Sequence, residues 1–351
     1  MDSWYLENLV CPYDRHELRA LNRGLVCPSG HRFPVVDGTP VMLREDVHQT
    51  TGLASASIRE ARRWQSDTPD GEALFLESLG ISEEEKQGVV RLASDPANKI
   101  DPVVSFLVGA TNGIAYKHLI GKLQDYPIPR IRLPRAGGKT LLDVGCSWGR
   151  WSAAAAAKGY RAVGIDPSLG AVMAARRVAS QLGLEMKCVV GDARFLPFRE
   201  AAFDCVFSYY VLQHFSREDV AQAAGEIGRV LREGGASLIQ MRTAFGLHSL
   251  YHQVRRKFRE ATGSEVRYWT IPALRKLFSS RVGKTDVSVD CFFGIGLHYS
   301  DLRIMPVTYR VAIVLSELLE TVSRALYPIT YLADSVYVSS VKEACRADRR
   351  G

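Results

Sequence analysis

Residues 140–150 read TLLDVGCSWGR, a short apolar run followed by a glycine-bearing loop. The run Thr140–Val144 predicts a buried strand, and the alanine-rich segment Arg150–Lys158 predicts a helix that ends at Gly159. A loop of this kind lets the backbone approach a ligand closely and directs helix N-terminal N–H groups toward it. The stretch therefore predicts a ligand site between a strand and a helix, although an NAD-binding loop would show the same pattern.

The alternation of strands and helices continues along the chain from Lys139. Such alternation implies a parallel sheet with right-handed crossovers, and so an α/β fold. The next strands are predicted at Arg161–Ile165, Met186–Val190, Phe203–Ser208 and Ala236–Met241, with helices at Pro167–Leu182 and Arg217–Arg232 between them, followed by a helix near Ala273–Phe278 and strands near Thr285–Phe292 and at Ser335–Val341.

Carboxylates accompany three of these strands. Asp143 lies in the first strand, Asp166 ends the second and Asp192 ends the third. A carboxylate at the end of the second strand can accept hydrogen bonds from both hydroxyls of a ribose, and one at the end of the third can accept from an adenine amino group. The alternative is that the three side chains only cap strand ends.

These segments, in this order, resemble the class I S-adenosylmethionine-dependent methyltransferases, in particular the small-molecule group. Val211–His214 is similar to the "vLqH" segment that follows the fourth strand in that group. Leu231–Gly235 is similar to its glycine turn, with Glu233 where proline is usual. The resemblance covers about residues 139–242 and implies a Rossmann-like sheet with helices on both faces.

The resemblance also implies roles for single residues. Asp143 and Gly145 would line the methionine end of S-adenosylmethionine, Asp166 would hold the ribose, Asp192 the adenine amino group, and Ala193 the adenine ring through its backbone. The full cofactor-binding set expected from the resemblance is Asp143, Gly145, Ser147, Gly149, Asp166, Asp192, Ala193 and Ser208.

His214 is the candidate catalytic base, because it follows the fourth strand near the sheet edge and its ordinary pKa suits proton transfer. The alternative is a packing or hydrogen-bonding role at a helix start. The base-modifying Asn/Asp-Pro-Pro-Tyr/Phe motif is absent at Tyr209-Tyr210. Aromatic side chains that could line or close an acceptor pocket are in the segments Arg267–Trp269 and Phe292–Gly294 and at Tyr116 and Trp151.

Residues 1–46 form a separate ribbon-like module. Cys11, Asp14, Cys27 and His31 have the spacing of a tetrahedral zinc site, and His16 could substitute for one of them. The region resembles small zinc-ribbon domains and the short domain of tRNA-methyltransferase activator subunits. It departs from them because Asp14 stands where a cysteine is expected, so a metal-free ribbon is the alternative.

Residues 47–136 are expected to be a helical linker or cap, and residues 137–345 the methyltransferase domain with a C-terminal insertion at about 243–330. Helices are predicted in the linker at Leu53–Trp64, Glu72–Leu79 and Ile114–Leu123. In the insertion, Val311–Leu326 carries an apolar stripe at helical spacing. Its charged residues favour packing in the core over a membrane-surface role.

Composition adds broad limits. The formal charge of +7 and the pI near 9.0 are compatible with an anionic partner but do not require one. Seven cysteines, an odd number, do not suggest a disulfide framework, so a reducing cytoplasm is expected. No signal peptide pattern and no run of about 18 apolar residues is seen, so no membrane span is predicted.

The sequence thus predicts an S-adenosylmethionine-dependent methyltransferase (EC 2.1.1.-) that transfers a methyl group to a small-molecule, lipid or glycan acceptor by in-line displacement. The first alternative is an RNA base methyltransferase that docks rRNA or tRNA through the N-terminal ribbon. The second is a scaffold that binds the cofactor without turnover.

Overall fold

The computed structural model describes residues 2–48, 51–66, 73–111, 114–294 and 296–344. An N-terminal module comes first and contains an antiparallel sheet of four strands in sequential order. Its elements are α1 (Ser3–Asn8), β1 (Arg19–Leu21), β2 (Gly24–Val26), β3 (Arg32–Val36) and β4 (Thr39–Pro40).

Helix α1 was not predicted, because six residues are too few to show a helical period. Asp2 caps it by accepting a hydrogen bond from the backbone N of Trp4 at 2.9 Å.

The segment between the module and the main sheet is helical, as predicted. The prediction of a helix at Leu53–Trp64 is confirmed, whereas the one at Glu72–Leu79 reduces to a 3-10 turn at Leu76–Leu79, and Glu72 lies outside the described residues. The helices are α2 (Leu53–Ser66), α3 (Glu83–Ala93) and α4 (Pro102–Thr111), and a second 3-10 turn spans Ile114–Leu119.

A seven-stranded sheet forms the centre of the molecule, in the order β10-β11-β9-β8-β5-β6-β7. Strands β5 to β9 are parallel, and β11 runs antiparallel to both of its neighbours. The strands are β5 (Thr140–Val144), β6 (Arg161–Asp166), β7 (Met186–Val190), β8 (Phe203–Ser208), β9 (Leu231–Arg242), β10 (Lys284–Cys291) and β11 (Ser335–Val341). The helices are α5 (Arg150–Ala156), α6 (Leu169–Gln181), α7 (Arg217–Val230), α8 (Leu247–Arg255), α9 (Ile271–Arg281) and α10 (Val307–Ala325).

Both faces of this sheet are covered, which explains why β5 is buried along its whole length. Leu142 and Val144 pack in the cluster that includes α7 and α9, whereas Leu141 packs with Trp151 of α5 on the other face. This confirms the predicted Rossmann-like α/β fold, with its small additional N-terminal sheet.

The start of α6 and the end of α7 differ from the prediction for local reasons. Helix α6 begins at Leu169 because Ser168 caps it, accepting from the backbone N of Ala171. Helix α7 ends at Val230, two residues early, because Leu231 already pairs with Phe203 of β8. The predicted glycine turn therefore lies inside an irregular part of β9.

The N-terminal module extends the sheet edge at β7. Val41 forms a parallel bridge with Val190, and the hydroxyl of Tyr5 donates to the carbonyl of Cys188 at 3.0 Å. An edge strand offers unpaired backbone groups, so this contact covers an otherwise exposed edge.

The orientation of α10 contradicts the prediction of a core-packed stripe. Val311 and Leu318 are 54% and 58% exposed, whereas Glu320 lies on the buried face of the helix. The reason is an ion pair across the fold: Arg132 lies 3.5 Å from Glu317 and 3.4 Å from Glu320, which turns the charged face inward. The prediction treated these charges as the solvent side and was wrong.

Two further features of the described residues concern the cysteines and the helices. Six cysteines are described, and all six are buried free thiols. Cys345 lies outside the described residues. Among the described helices, none has both the length and the apolar character that a bilayer crossing requires.

Candidate active site

A cleft of about 600 Å³ opens at the carboxyl ends of β5 to β8. Parallel strands bring their carboxyl ends to one edge, so loops that are far apart in sequence meet there. Of the residues predicted to bind the cofactor or to act as a base, those that line this cleft are Gly145, Ser147, Asp166, Asp192, Ala193 and His214.

Three residues of the expected cofactor set do not line the cleft. Asp143 is fully buried, accepts a hydrogen bond from Oγ of Ser152 at 2.6 Å, and burial raises its pKa to about 7. Ser208 donates from Oγ to the carbonyl of Val144 at 2.8 Å. Gly149 caps α5 in a left-handed conformation, with a φ of 82°. Asp143 and Ser208 are thus buried in β5 and β8, and Gly149 serves as the cap of α5.

The loop itself depends on its small residues. A Cβ at Gly145 would lie 2.1 Å from Cγ2 of Val211, and the φ of 77° also favours glycine. Ser147 is left-handed as well, with a φ of 47°. Ser147 lines the cleft, and its buried Oγ has no hydrogen-bond partner among the described residues. A ligand hydroxyl, amine or carboxylate would satisfy it.

Asp166 is held in place by backbone donors on both sides. The backbone N of Ser147 donates to Oδ2 and the backbone N of Ser168 donates to Oδ1, each at 3.0 Å. Burial raises its pKa to about 6, so the carboxylate is ionised at neutral pH. Each oxygen keeps a free lone pair, which is what two ribose hydroxyls require.

Asp192 already has a partner within the chain. Arg194 donates to it from Nε and from Nη2, the latter at 2.7 Å, and pairs through Nη1 with Asp219 at 3.1 Å. Arg194 lines the cleft beside Ala193 and is a site residue that the sequence analysis missed. A ligand amino group at Asp192 would share the carboxylate with this guanidinium.

His214 is oriented by a backbone carbonyl. Its Nδ1 lies 2.7 Å from the carbonyl oxygen of Ser264, which can only accept, so Nδ1 carries the proton and Nε2 the lone pair. Burial lowers the pKa of His214 below its ordinary value of 6.5, and the charge of Arg242 lowers it further. The imidazole is therefore neutral at pH 7 and able to accept a proton at Nε2.

The far end of the cleft combines aromatic and charged side chains. Tyr210, Trp151 and Arg242 line it, as does Val266, next to the predicted segment Arg267–Trp269. Tyr116, predicted to close over the site, is instead buried away from it in contact with Asp301 and Arg150.

Arg242 was also missed by the sequence analysis, because the predicted strand ended one residue before it. A charged residue directly after a buried strand, at the ligand-binding edge of the sheet, was the available signal.

The N-terminal module brings the four predicted metal ligands together, with their ligand atoms within 4.8 Å of one another. Nδ1 of His31 lies 3.4 Å from Sγ of Cys11, 3.3 Å from Sγ of Cys27 and 3.2 Å from Oδ2 of Asp14. Ligands of a tetrahedral zinc ion with bonds of about 2.0–2.3 Å lie roughly 3.3–3.8 Å apart. The donor set and its spacing therefore fit zinc.

Comparison with known proteins places a methyltransferase domain at this site. Residues 141–235 match the family described as "Methyltransferase domain". This range contains the loops after β5, β6, β7 and β8, which provide most of the residues that line the cleft.

Individual relatives match over the same part of the chain. The demethylmenaquinone methyltransferase of Thermus thermophilus is 36% identical over 103 residues, 28% of this chain and 46% of that protein. The tRNA (carboxymethyluridine(34)-5-O)-methyltransferase alkbh8 of Xenopus tropicalis is 35% identical over 103 residues, 29% of this chain and 15% of that protein. The chain thus spans less than half the length of these relatives. The crystal structure of YcgJ from Bacillus subtilis aligns with 60% of this chain and 94% of its own, at 20% identity and a TM-score of 0.41.

Proposed function

We propose that this chain is an S-adenosylmethionine-dependent methyltransferase whose acceptor is a small molecule, lipid or glycan. The observation that carries the proposal is the cleft at the carboxyl edge of the sheet, where Ser147, Asp166 and Ala193 lie beside a neutral His214. The methyltransferase domain match over residues 141–235 supports the same reaction class.

The chain's own groups fit the cofactor. The unpartnered Oγ of Ser147 would bind its amino-acid end, the free lone pairs of Asp166 its ribose, and Ala193 would contact its adenine. When bound, S-adenosylmethionine supplies an electrophilic methyl carbon. The protein's part is to hold the acceptor in line with that carbon and to exclude water.

His214 is proposed as the base that removes the acceptor's proton. Its Nε2 carries the lone pair, and the bond from Nδ1 to Ser264 keeps the ring in this tautomer. Gln213 donates from its Nε2 to this lone pair at 3.3 Å, which restricts the ring further, and the acceptor displaces this amide when it binds. Because the pKa of His214 is lowered, the base is available throughout the neutral range.

The experiment that tests the function is incubation of the protein with methyl-labelled S-adenosylmethionine and an extract of its source organism. We expect label in the small-molecule or lipid fraction that resists nuclease. Label that nuclease releases would instead establish an RNA methyltransferase, the activity named for the Xenopus tropicalis relative. Cofactor binding without label in any fraction would establish a scaffold.

Replacement of His214 by Gln is expected to lower kcat by about 100-fold or more, because general base catalysis contributes on that order. The affinity of the variant for the cofactor should stay unchanged. In the unaltered protein, kcat/KM should fall as the pH drops below the pKa of His214, and in the variant it should not. His118→Gln, at an exposed histidine, is the matched control and should behave as the unaltered protein. Loss of cofactor binding in His214→Gln would make this residue structural.

We further propose that Cys11, Asp14, Cys27 and His31 bind a structural zinc ion. Two thiolates, an imidazole and a carboxylate form a closed four-ligand set, which is typical of a stabilising site without open coordination. Bound zinc would tie the loop after α1 to the turn between β2 and β3.

The protein purified without chelators is expected to contain about one zinc per chain, and His31→Ala should lose most of it. His118→Ala is the control, since His118 is an exposed histidine outside the N-terminal module. Atomic absorption measures the metal directly. Absence of zinc from the unaltered protein, or full zinc content in His31→Ala, would contradict the assignment.

A further inference from the structure

Arg242 ends β9 and lies where the cleft meets a second cavity of about 420 Å³. The side chain is only 8% exposed. Its Nη2 donates to the carbonyl oxygen of Gly294 at 2.6 Å, but Nε and Nη1 have no hydrogen-bond partner among the described residues. A buried guanidinium with two unpartnered donors, in a residue that lines both cavities, is arranged for a ligand.

Leaving such donors unsatisfied is costly, since a buried charge loses its hydration without replacement. Within the described part of the chain, no carboxylate forms an ion pair with Arg242. Asp334 acts on it through its electrostatic field without a hydrogen bond: Oδ1 accepts from the backbone N of Ser249 at 2.7 Å, and Oδ2 is buried without a hydrogen-bond partner among the described residues. The ring of Tyr210, 5.2 Å away, contributes a cation–π contact but accepts no hydrogen bond from the free donors.

Helix α8 adds further positive charge to the second cavity. Arg255 and Arg256 line it together with Arg242. Burial lowers the pKa of His248 and of His252, which also line it, so these two imidazoles are neutral at pH 7. Glu265 lines the cavity as well, but its carboxylate is paired with Arg259. Nε of Arg256 is also buried without a hydrogen-bond partner among the described residues. A single carboxylate would neutralise only one of these cations, whereas a phosphate brings up to two negative charges and three terminal oxygens.

We propose that Arg242 is the centre of a subsite that binds a phosphate group of the methyl acceptor. The identification of the ligand as the methyl acceptor rests on the proposed function, whereas the anion site does not. The phosphate lies in the second cavity, and the rest of the acceptor extends past Arg242 into the cleft, toward His214. The acceptor class is thereby narrowed from any small molecule, lipid or glycan to a phosphate-bearing one.

The test is calorimetric titration of the whole chain, saturated with S-adenosylhomocysteine, with glycerol 3-phosphate as the probe. We expect binding that Arg242→Gln weakens roughly tenfold or more, since it removes charge-assisted hydrogen bonds. Arg242→Lys should retain part of the affinity. Arg161→Gln, at an exposed arginine on β6, is the matched control, and S-adenosylhomocysteine affinity in every variant reports that the fold is intact.

The outcomes separate the claims. The subsite is overturned if glycerol 3-phosphate does not bind the unaltered protein, or binds Arg242→Gln with the same affinity. The preference for phosphate is overturned if glycerate binds the unaltered protein as tightly as glycerol 3-phosphate does. Failure to bind S-adenosylhomocysteine while glycerol 3-phosphate binds overturns the proposed function alone. Competition by phosphatidic acid vesicles, dependent on Arg242, identifies a lipid as the source of the phosphate, whereas competition by soluble phosphates alone identifies a metabolite.

A separate observation concerns the outer face of α8. Leu247, Tyr251 and Val254, with Phe258 just beyond the helix, follow the spacing i, i+4, i+7 and i+11 and are 54–68% exposed. We define these four residues as the α8 stripe. Such a stripe would normally face the core, but here Ser249 is the buried residue of the helix.

Charge complementarity points to what covers the α8 stripe. Arg255 and Lys257 flank it and are exposed. An apolar stripe bordered by cations is the pattern of a helix that lies in the interface of an anionic membrane. We infer that the α8 stripe docks on an anionic lipid surface, which sets the phosphate cavity on the adjacent side of the same helix close to that surface.

Flotation with phosphatidylglycerol–phosphatidylcholine vesicles tests this inference. The unaltered protein should float with the vesicles, more weakly at high salt and not with phosphatidylcholine alone. Val254→Glu should abolish flotation, and Val90→Glu, at an exposed valine on α3, should not. Lipid docking would be overturned if Val254→Glu floats as well as the unaltered protein. It would also be overturned if the unaltered protein sediments as a dimer that Val254→Glu dissociates, because the α8 stripe would then bind a second copy of the chain.

Discussion

Replacement of Asp301 by Ala is expected to lower the free energy of unfolding by about 3–5 kcal/mol, because it leaves a buried arginine without its counter-charge. Nη2 of Arg150 lies 2.7 Å from Oδ1 of Asp301, and the hydroxyl of Tyr116 donates to Oδ2 at 2.7 Å. Asp301 and Arg150 are 1% and 5% exposed. Arg150 also starts α5 directly after the glycine loop, so the pair connects the cofactor loop to the C-terminal insertion.

Chemical denaturation measures this loss. Asp286→Ala, at an exposed aspartate of β10, is the matched control and should stay within about 0.5 kcal/mol of the unaltered protein. The double variant Arg150→Met, Asp301→Leu should recover a substantial part of the loss, since it removes both buried charges. A small effect of Asp301→Ala would show that Arg150 gains hydration or another partner when the carboxylate is removed.

Replacement of Asp166 by Ala is expected to weaken S-adenosylmethionine binding by roughly tenfold or more, because two hydrogen bonds to the ribose are lost. The same carboxylate gives binding a pH dependence. Its pKa is raised by burial to about 6, so the ionised form that accepts both hydroxyls dominates above pH 6 and is depleted below it. Affinity should therefore be constant in the neutral range and fall as the pH drops through 6.

Calorimetric titration across pH separates the two parts of this prediction. Asp166→Asn keeps one acceptor oxygen and should bind weakly without the fall in affinity below pH 6. Asp95→Ala, at an exposed aspartate outside the cleft, is the matched control. Unchanged affinity in Asp166→Ala would refute the assignment of the ribose to this residue.

The position of the N-terminal module bears on its role. The bridge from Val41 to Val190 and the hydrogen bond from Tyr5 to Cys188 attach it to the edge of the central sheet. This attachment favours a cap that stabilises the methyltransferase domain. Zinc, if bound, would act on the cofactor site only through this contact, because the cluster does not line the cleft.

What could be read from the sequence alone depends on local patterns. The apolar run Thr140–Val144, the glycine loop and the alternation that follows determine the order of strands and helices, because periodicity and turn residues act over a few positions. Parallel topology then requires that residues at the ends of neighbouring strands, such as Asp166 and Asp192, meet at one edge. The α/β fold and the place of the cleft followed from these rules.

Only the tertiary structure decided which side chains face the cleft and which surfaces remain exposed. Asp143 turns to Ser152 beneath the loop, and α10 presents its apolar stripe to solvent because Arg132, far away in the sequence, pairs with Glu320. Arg242 became a site residue only when the cavities on either side of it were formed. Each of these outcomes depends on contacts between distant segments, and helical or strand periodicity carries no information about such contacts.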